Sequence, residues 1–172
     1  MILEAPAKVN LSLRVLRRRD DGYHEITTRM APLLLEDRVS LTCLPDAARG
    51  TVAFTCDDPT VPLDGANLAV KAVRALEVHT GPLPGVAIHL EKRIPHGAGL
   101  GGGSSDAAAV LKGLNALLAL QLPVAVLSAA GAAIGSDVPF FLYGCVCDCG
   151  GRGEAVAPVA GRTDLWVEMR VP

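Results

Sequence analysis

Aromatic residues are scarce in this sequence: Phe, Trp and Tyr together make up 3% of its 172 residues. The core must therefore be built from Ala, Val and Leu. An excess of positive charge is also missing. Sixteen Lys and Arg face 18 Asp and Glu, a formal net charge of −2, and no basic stripe runs along the chain, which argues against a general nucleic-acid binder. The five cysteines, Cys43, Cys56, Cys145, Cys147 and Cys149, contain no C-x-x-C pair, which argues against zinc, and their number is odd. The last three alternate, so a strand would place them on one face as small apolar side chains, and nothing requires an oxidising compartment. Charge is absent altogether from Gly113 to Ser136. That run is long enough to raise a membrane span, but Pro123 breaks it and Asn115, Gln121 and Ser128 interrupt it, so two buried helices joined at Pro123 are expected. Met1 to Leu13 carries Glu4 and Lys8 and lacks an apolar signal core. These absences point to a cytoplasmic protein.

What is present is a globular composition, 50% hydrophobic and 20% charged, in a chain long enough for one domain with a real core, or for one domain and a fragment. Its organising stretch is Leu90-Glu91-Lys92-Arg93-Ile94-Pro95-His96-Gly97-Ala98-Gly99-Leu100-Gly101-Gly102-Gly103-Ser104-Ser105-Asp106. A strand-like run, Val86 to Leu90, leads in, and a helix-patterned run, Ala107 to Leu122, leads out. Glycine allows close backbone approach and positive φ. Ser104, Ser105 and Asp106 are natural N-cap residues, and a helix N-terminus attracts anions. Strand, glycine loop and helix start together read as a phosphate cradle.

Several signatures compete for that loop. A Walker loop closes on Gly-Lys-Ser/Thr, whereas this one closes on Gly102-Gly103-Ser104 with no lysine inside. The dinucleotide pattern G-x-G-x-x-G occurs at Gly97, Gly99 and Gly102, but it requires a strand after the helix and an acidic residue about 20 positions on. Here the helix runs into more uncharged helical sequence. A plain glycine turn needs one or two glycines, and each extra one costs backbone entropy.

Other residues carry candidate chemistry. Asp137, in Gly135-Ser136-Asp137-Val138-Pro139, is either an acceptor for a substrate proton or a cap or turn residue before Pro139. Lys8, just before an alternating strand, is either a surface lysine or a cation that stabilises charge on a moving phosphoryl group. Tyr23 and His24 end a polar turn; they are an ordinary hairpin tip or a ring and a hydrogen-bonding group for a nucleobase. Lys92 is a solvated strand end or a residue reaching a phosphate or the adenine region.

In chain order, the alternation Leu11, Leu13, Val15 against Ser12, Arg14 predicts a strand over Asn10–Leu16. Further strands are expected over Ile26–Leu35, interrupted by Pro32, and over Arg38–Leu44 and Thr51–Cys56. Asn67–His79 has helical spacing with Ala69, Ala72, Val73 and Leu76 on one face. After the loop, the first helix carries the stripe Val110, Leu111, Leu114, Leu117, Leu118, Leu122. A second helix covers Val124–Ile134, and Asp137–Phe141 is a linker or turn. Tyr143–Cys149 and Glu154–Pro158 form a hairpin closed by Gly150-Gly151-Arg152-Gly153, and Leu165–Arg170 is a last strand. The order β-β-β-β-α-β-α-α-β-β-β does not alternate strictly, which argues for an α+β layer fold.

Four segments together resemble one family: Ala5-Pro6-Ala7-Lys8-Val9-Asn10-Leu11, Arg19-Asp20-Asp21-Gly22-Tyr23-His24, Ile94 to Ala108, and Gly135-Ser136-Asp137-Val138-Pro139-Phe140-Phe141. The glycine run alone resembles the ATP-binding loop of the GHMP small-molecule kinases. The Ala-Lys-Val-Asn and Asp-Gly-Tyr-His segments narrow the likeness to members of the non-mevalonate isoprenoid pathway that phosphorylate a cytidyl-linked methylerythritol on its 2-hydroxyl. The resemblance implies the GHMP amino-terminal fold, like domain 2 of ribosomal protein S5, with a mixed sheet and helices packed on one face. It implies Asp137 and Lys8 as the catalytic pair, and Asn10, Tyr23 and His24 at the cytidyl substrate. It places Asn67, Lys92, Pro95, Gly97, Gly99, Leu100, Gly101, Gly102, Gly103, Ser104 and Ser105 at ATP, with Mg²⁺ as helper and no metal ligand assigned. The partners are then two small molecules, with no nucleic acid and no membrane. Ser136 departs from the family's usual alanine. The resemblance also implies a second domain. Residues 1–160 are then the ATP-binding domain, and residues 161–172 the start of a substrate domain otherwise outside this chain. Other GHMP kinases, acting on mevalonate, homoserine or a sugar, a non-catalytic nucleotide-binding module, and an RNA-binding domain of related fold are the rival readings.

Overall fold

The computed structural model describes residues 1–160 and residues 167–168. Of the strand expected over Leu165–Arg170, only Val167 and Glu168 lie among the described residues, and they are in no strand.

Two long strands, β1 (Ile2–Arg18) and β2 (His24–Leu44), pair antiparallel from Ile2 opposite Ser40 to Arg18 opposite His24. The two strands expected over Ile26–Leu35 and Arg38–Leu44 are therefore one. Glu36-Asp37 offers no glycine to turn on, and Pro32 is tolerated because it faces Lys8 at one of three register shifts, between Pro6 and Lys8. Then follow β3 (Val52–Cys56), α1 (Leu68–Thr80) and β4 (Gly85–Glu91), with β3 parallel to β4 across the α1 connection. β4 pairs with β2 from Arg38 to Leu44.

The glycine loop leads to α2 (Gly102–Leu117), α3 (Val124–Ile134), α4 (Val138–Phe141), β5 (Cys147–Gly150) and β6 (Ala155–Pro158). β5 pairs with β2 at Thr28–Met30, and the sheet runs β3-β4-β2-β5-β6 with β1 along β2. β4 and β5 thus take opposite ends of one β2 edge, and Ala31–Asp37 between them pairs with neither. The chain leaving β4 enters the glycine loop at that interval.

Helices on one face of the sheet close the core. Ala69, Ala72, Val73 and Leu76 of α1 are buried, as their spacing predicts, together with Val110, Leu111 and Leu114 of α2 and Val39, Leu41, Val86, Ile88 and Leu90 of the sheet. Small and aliphatic side chains do most of this filling, and α2 lies so close that a Cβ on Gly113 would overlap Leu41 and Leu3. Cys147 and Cys149 face the core as free thiols, and burial pushes them up to about 12 and about 11, so they behave as inert small apolar groups.

Several boundaries and one face differ from expectation: β1 starts at Ile2, not Asn10, β5 starts at Cys147, not Tyr143, and Val138–Phe141 is a short helix where a linker or turn is expected. α2 begins at Gly102, not Ala107, and its N-cap is left-handed Gly101 without any side-chain bond. Ser104, Ser105 and Asp106 are therefore inside the helix. It ends at Leu117, not Leu122, because the Asn115 side chain accepts from Leu122 N and donates to Leu122 O, with Ala119 and Gln121 at positive φ. Leu11, Leu13 and Val15 form no buried face; they are 43 to 61% exposed on the far half of the β1–β2 hairpin. Among the described residues no helix is long and apolar enough to cross a membrane.

Candidate active site

The loop between β4 and α2 alternates left-handed glycines with larger residues: Gly97, Gly99 and Gly101 have φ between +72° and +75°. That backbone suits glycine and turns N–H groups into a concave, anion-binding run. It forms one wall of a cleft of about 350 Å³, which Pro95, His96, Leu100 and the first turn of α2 also line. No side chain caps that turn, so Gly102, Gly103 and Ser104 present a helix N-terminus to the cleft. Ser105 does not reach it. It is buried beneath the helix start, and its hydroxyl has no hydrogen-bond partner among the described residues.

At the loop's inner end stand Lys8 and Asp137. The Lys8 N–H donates to Leu100 O at 2.9 Å, which seats the loop on β1. The register shift beside Lys8 lets its side chain lie under the loop, with a Cβ on Gly101 only 3.1 Å from Lys8 Cγ and 2.8 Å from Phe141 Cζ. Its ammonium donates to Asn10 Oδ1 at 2.8 Å and stands 3.4 Å from the Asp137 carboxylate. Asn10 is held in turn by its bond to Thr28 Oγ1 (2.7 Å), which donates to Ser12 O (2.6 Å). Asp137 precedes α4 but caps nothing. Its carboxylate is one-third exposed, whereas Lys8 is nearly buried. α4 is fixed by buried Phe140 and Phe141 and by Lys112 Nζ, which donates to Phe141 O at 3.1 Å. Burial lowers the Lys112 pKa from its ordinary value.

Tyr23 and His24 lie apart from the cleft, exposed at the tip of the β1–β2 hairpin. Arg19 braces the tip through Asp21 and Glu25. The Arg152 guanidinium lies 4.8 Å above the Tyr23 ring. The next residue, Gly153, would place a Cβ 3.4 Å from Asp137 Oδ1. The β5–β6 turn thus connects the hairpin tip to the Lys8–Asp137 pair.

Asn67 and Lys92 both line the cleft, yet their polar groups have other commitments. Asn67 caps α1 by accepting from Ala69 N and donates to Pro62 O, each at 2.9 Å. Of the two readings that the sequence leaves open for Lys92, the solvated strand end does not hold. The Lys92 ammonium turns inward to the carboxylates of Asp37 and Asp106.

Comparison with known proteins sharpens the picture. Residues 67–145 match the model of the GHMP kinases N terminal domain. A solved structure of 4-(cytidine 5'-diphospho)-2C-methyl-D-erythritol kinase superposes with a TM-score of 0.74 at 44% identity, over 93% of this chain and 55% of that one. The described residues have the fold of a GHMP kinase amino-terminal domain. Among curated relatives, the 4-diphosphocytidyl-2-C-methyl-D-erythritol kinase of Shouchella clausii (strain KSM-K16) is 46% identical over 170 residues, 99% of this chain and 56% of its own length. That of Methylacidiphilum infernorum (isolate V4) is 47% identical over 156 residues, 91% of this chain and 53% of its own length. The chain spans little more than half the length of these relatives. The mevalonate kinase of Methanococcus jannaschii, at a TM-score of 0.69 but 15% identity over 94% of this chain and 56% of its own, shares the fold.

The sequence reading missed Asp37, Thr28, Phe141 and Arg152, and took Asp106 only for a helix cap. Asp37 was the most accessible of these. A carboxylate amid Leu33-Leu34-Leu35 and Val39, with no glycine to mark a turn, signals a continuous strand with a buried acid. The others have no local signature, since their partners come from distant segments.

Proposed function

We propose that this domain is the ATP-binding part of a kinase that transfers the γ-phosphoryl group of ATP to the 2-hydroxyl of 4-diphosphocytidyl-2-C-methyl-D-erythritol, in the non-mevalonate (MEP) route to isoprenoids. One observation carries the reading. The Lys8–Asp137 pair stands at the closed end of a glycine loop whose other end opens into a nucleotide-sized cleft. The similarity to kinases named for that substrate supports the choice of acceptor.

In this reading the loop and the α2 N-terminus hold the phosphates, and the base lies toward Asn67 and Lys92, whose residues line the cleft wall. Asp137 faces the acceptor hydroxyl. As the oxygen–phosphorus bond forms and the β–γ bridge breaks, the hydroxyl proton passes to its carboxylate. Lys8, held by Asn10, stabilises the negative charge that develops on the acceptor and phosphoryl oxygens. Tyr23 and His24 take the cytosine, one by stacking and the other by hydrogen bonding.

Mg²⁺ fits this arrangement as an ion carried mainly by the nucleotide phosphates. Among the described residues no three His, Cys, Asp or Glu side chains stand together to cage it. The Ser104 hydroxyl at the helix start, which lines the cleft, is the protein group that would hold it. When bound, it supplies charge neutralisation at the phosphoryl oxygens.

The deciding experiment is a phosphotransfer assay with ATP, Mg²⁺ and the cytidyl substrate, run beside mevalonate, homoserine and galactose. Product formed from the cytidyl compound alone is the expected result. Turnover of another alcohol in its place would reject the assignment.

A further inference from the structure

Lys92 and Asp106 bracket the glycine loop in the chain, one just after β4 and the other within α2. In the fold they meet. The Lys92 ammonium bonds Asp106 Oδ2 at 2.6 Å and also holds Asp37 Oδ2. The other Asp37 oxygen accepts from Arg93 N at 2.5 Å and from Ile94 N at 2.8 Å, the first peptides of the chain leaving β4. Entry and exit of the loop are therefore tied across a single ammonium, and the tie is anchored to β2 through Asp37. All three side chains are out of solvent, with exposures of 7% for Lys92, 0% for Asp37 and 3% for Asp106, so dissolved salt screens their contacts weakly.

Stability alone is a poor account of this cluster. A buried ion pair recovers little more than its desolvation cost, and apolar replacements are often as stable. Two carboxylates also face one ammonium, and Asp106 Oδ1 is buried with no hydrogen-bond partner among the described residues. What the cluster fixes is geometry. Gly102, the first residue of α2, lies directly on it, and a Cβ there would meet Ile94 Cγ2 at 3.1 Å and Asp37 Oδ2 at 3.4 Å.

We propose that Asp37 and Asp106 are positioning residues for the nucleotide phosphates, acting through the Lys92 ammonium to hold the glycine loop in its phosphate-binding shape before any nucleotide arrives. The inference rests on the loop being the phosphate cradle of the function proposed above. Lys92 then works from the cleft wall at the base of the loop, its ammonium taken up by the two carboxylates, and does not touch phosphate. A loop already ordered spends less binding energy on ordering when the ligand arrives.

Two measurements on the same protein test this. Amide hydrogen exchange of the ligand-free chain reads loop order, and calorimetric titration with a non-hydrolysable ATP analogue reads affinity. Lys92→Met and the near-isosteric Asp106→Asn are each expected to speed exchange at residues 97–104 by about tenfold or more, while Leu41 and Ile88 in the sheet keep their protection. Nucleotide affinity is expected to fall by about tenfold or more in parallel. Should Lys92→Met not fold, Asp106→Asn reads the same effect. Weakened affinity with unchanged loop exchange would mean that Lys92 contacts the nucleotide directly, and would overturn the proposal. So would unchanged exchange and unchanged affinity. If the wild-type chain bound no nucleotide, the phosphate-cradle reading would fall, and the exchange measurement would still decide whether the cluster orders the loop.

Discussion

The Asp137 carboxylate lies 3.4 Å from the Lys8 ammonium, although most of the sheet and three helices separate them in the chain. Lys8 is fixed from two sides, by its own N–H on Leu100 O and by its ammonium on Asn10. Asp137 is fixed through the packing of α4, so its own oxygens are not consumed by capping.

On the proposed function, Asp137 serves the chemical step and not nucleotide binding. Asp137→Asn is expected to lower kcat by at least about a hundredfold, as loss of a general base does, with affinity for the ATP analogue within about twofold of wild type. Steady-state kinetics and calorimetry on the same preparation check both. A kcat near wild type would remove Asp137 from the mechanism.

Glycines in the loop separate into two kinds. Gly101 has φ +75°, and a Cβ there would meet Phe141 and Lys8, so Gly101→Val should cost stability on the order of 3 kcal/mol and disturb the catalytic pair as well. Gly103 lines the cleft, and the nearest atom to its Cβ is Leu68 Cδ1 at 3.7 Å. Gly103→Val should therefore fold within about 1 kcal/mol of wild type while weakening ATP by about tenfold or more, and leave the cytidyl ligand unaffected. Denaturant titration and two-ligand calorimetry distinguish the pair. Equal loss of both ligands in Gly103→Val would contradict a phosphate role for the α2 N-terminus.

At the hairpin tip, Tyr23 is 53% exposed beneath the Arg152 guanidinium, and His24 beside it is exposed as well. His24→Ala is expected to raise KM for the cytidyl substrate and to relax discrimination against a uridyl analogue, because a site that hydrogen-bonds one base edge rejects the other. Competition kinetics with the two nucleotides provide the ratio. An unaltered ratio would place cytosine recognition elsewhere.

Burial pushes the Asp106 carboxyl up to about 7, against the opposing pull of the Lys92 ammonium. The folded chain therefore holds this proton more tightly than the unfolded chain, where an ordinary Asp titrates near 3.8. The sign follows: this group's contribution to stability is fully present below the unfolded value and is lost as pH rises towards about 7. Between those limits wild-type stability should fall relative to Asp106→Asn, by no more than about 1.4 kcal/mol per pH unit. Denaturant unfolding of both proteins at pH 4 to 8 measures the difference. A difference that stays constant, or one that moves the other way with pH, would contradict a buried, proton-holding Asp106.

Local pattern alone determined a good deal of this protein. The helical spacing of Ala69, Ala72, Val73 and Leu76 and the clustered glycines between a β-branched run and a helical run fix elements through neighbours within one turn or one pleat, and so they can be read from the chain. The same holds for the shape of the glycine loop, because a left-handed backbone leading into a helix start needs only glycine and position. Tertiary structure alone decided the rest. Glu36-Asp37 reads as a break, but pairing with β1 carries the strand through it and buries Asp37. Lys92 reads equally as a solvated strand end or as a residue reaching the nucleotide until two distant carboxylates close on its ammonium. Asp137 is equally a turn residue or a proton acceptor until packing of α4 brings it to Lys8. In each case the deciding interaction, whether strand pairing, an ion pair or apolar packing, joins segments far apart in sequence and exists only once the sheet and helices have assembled.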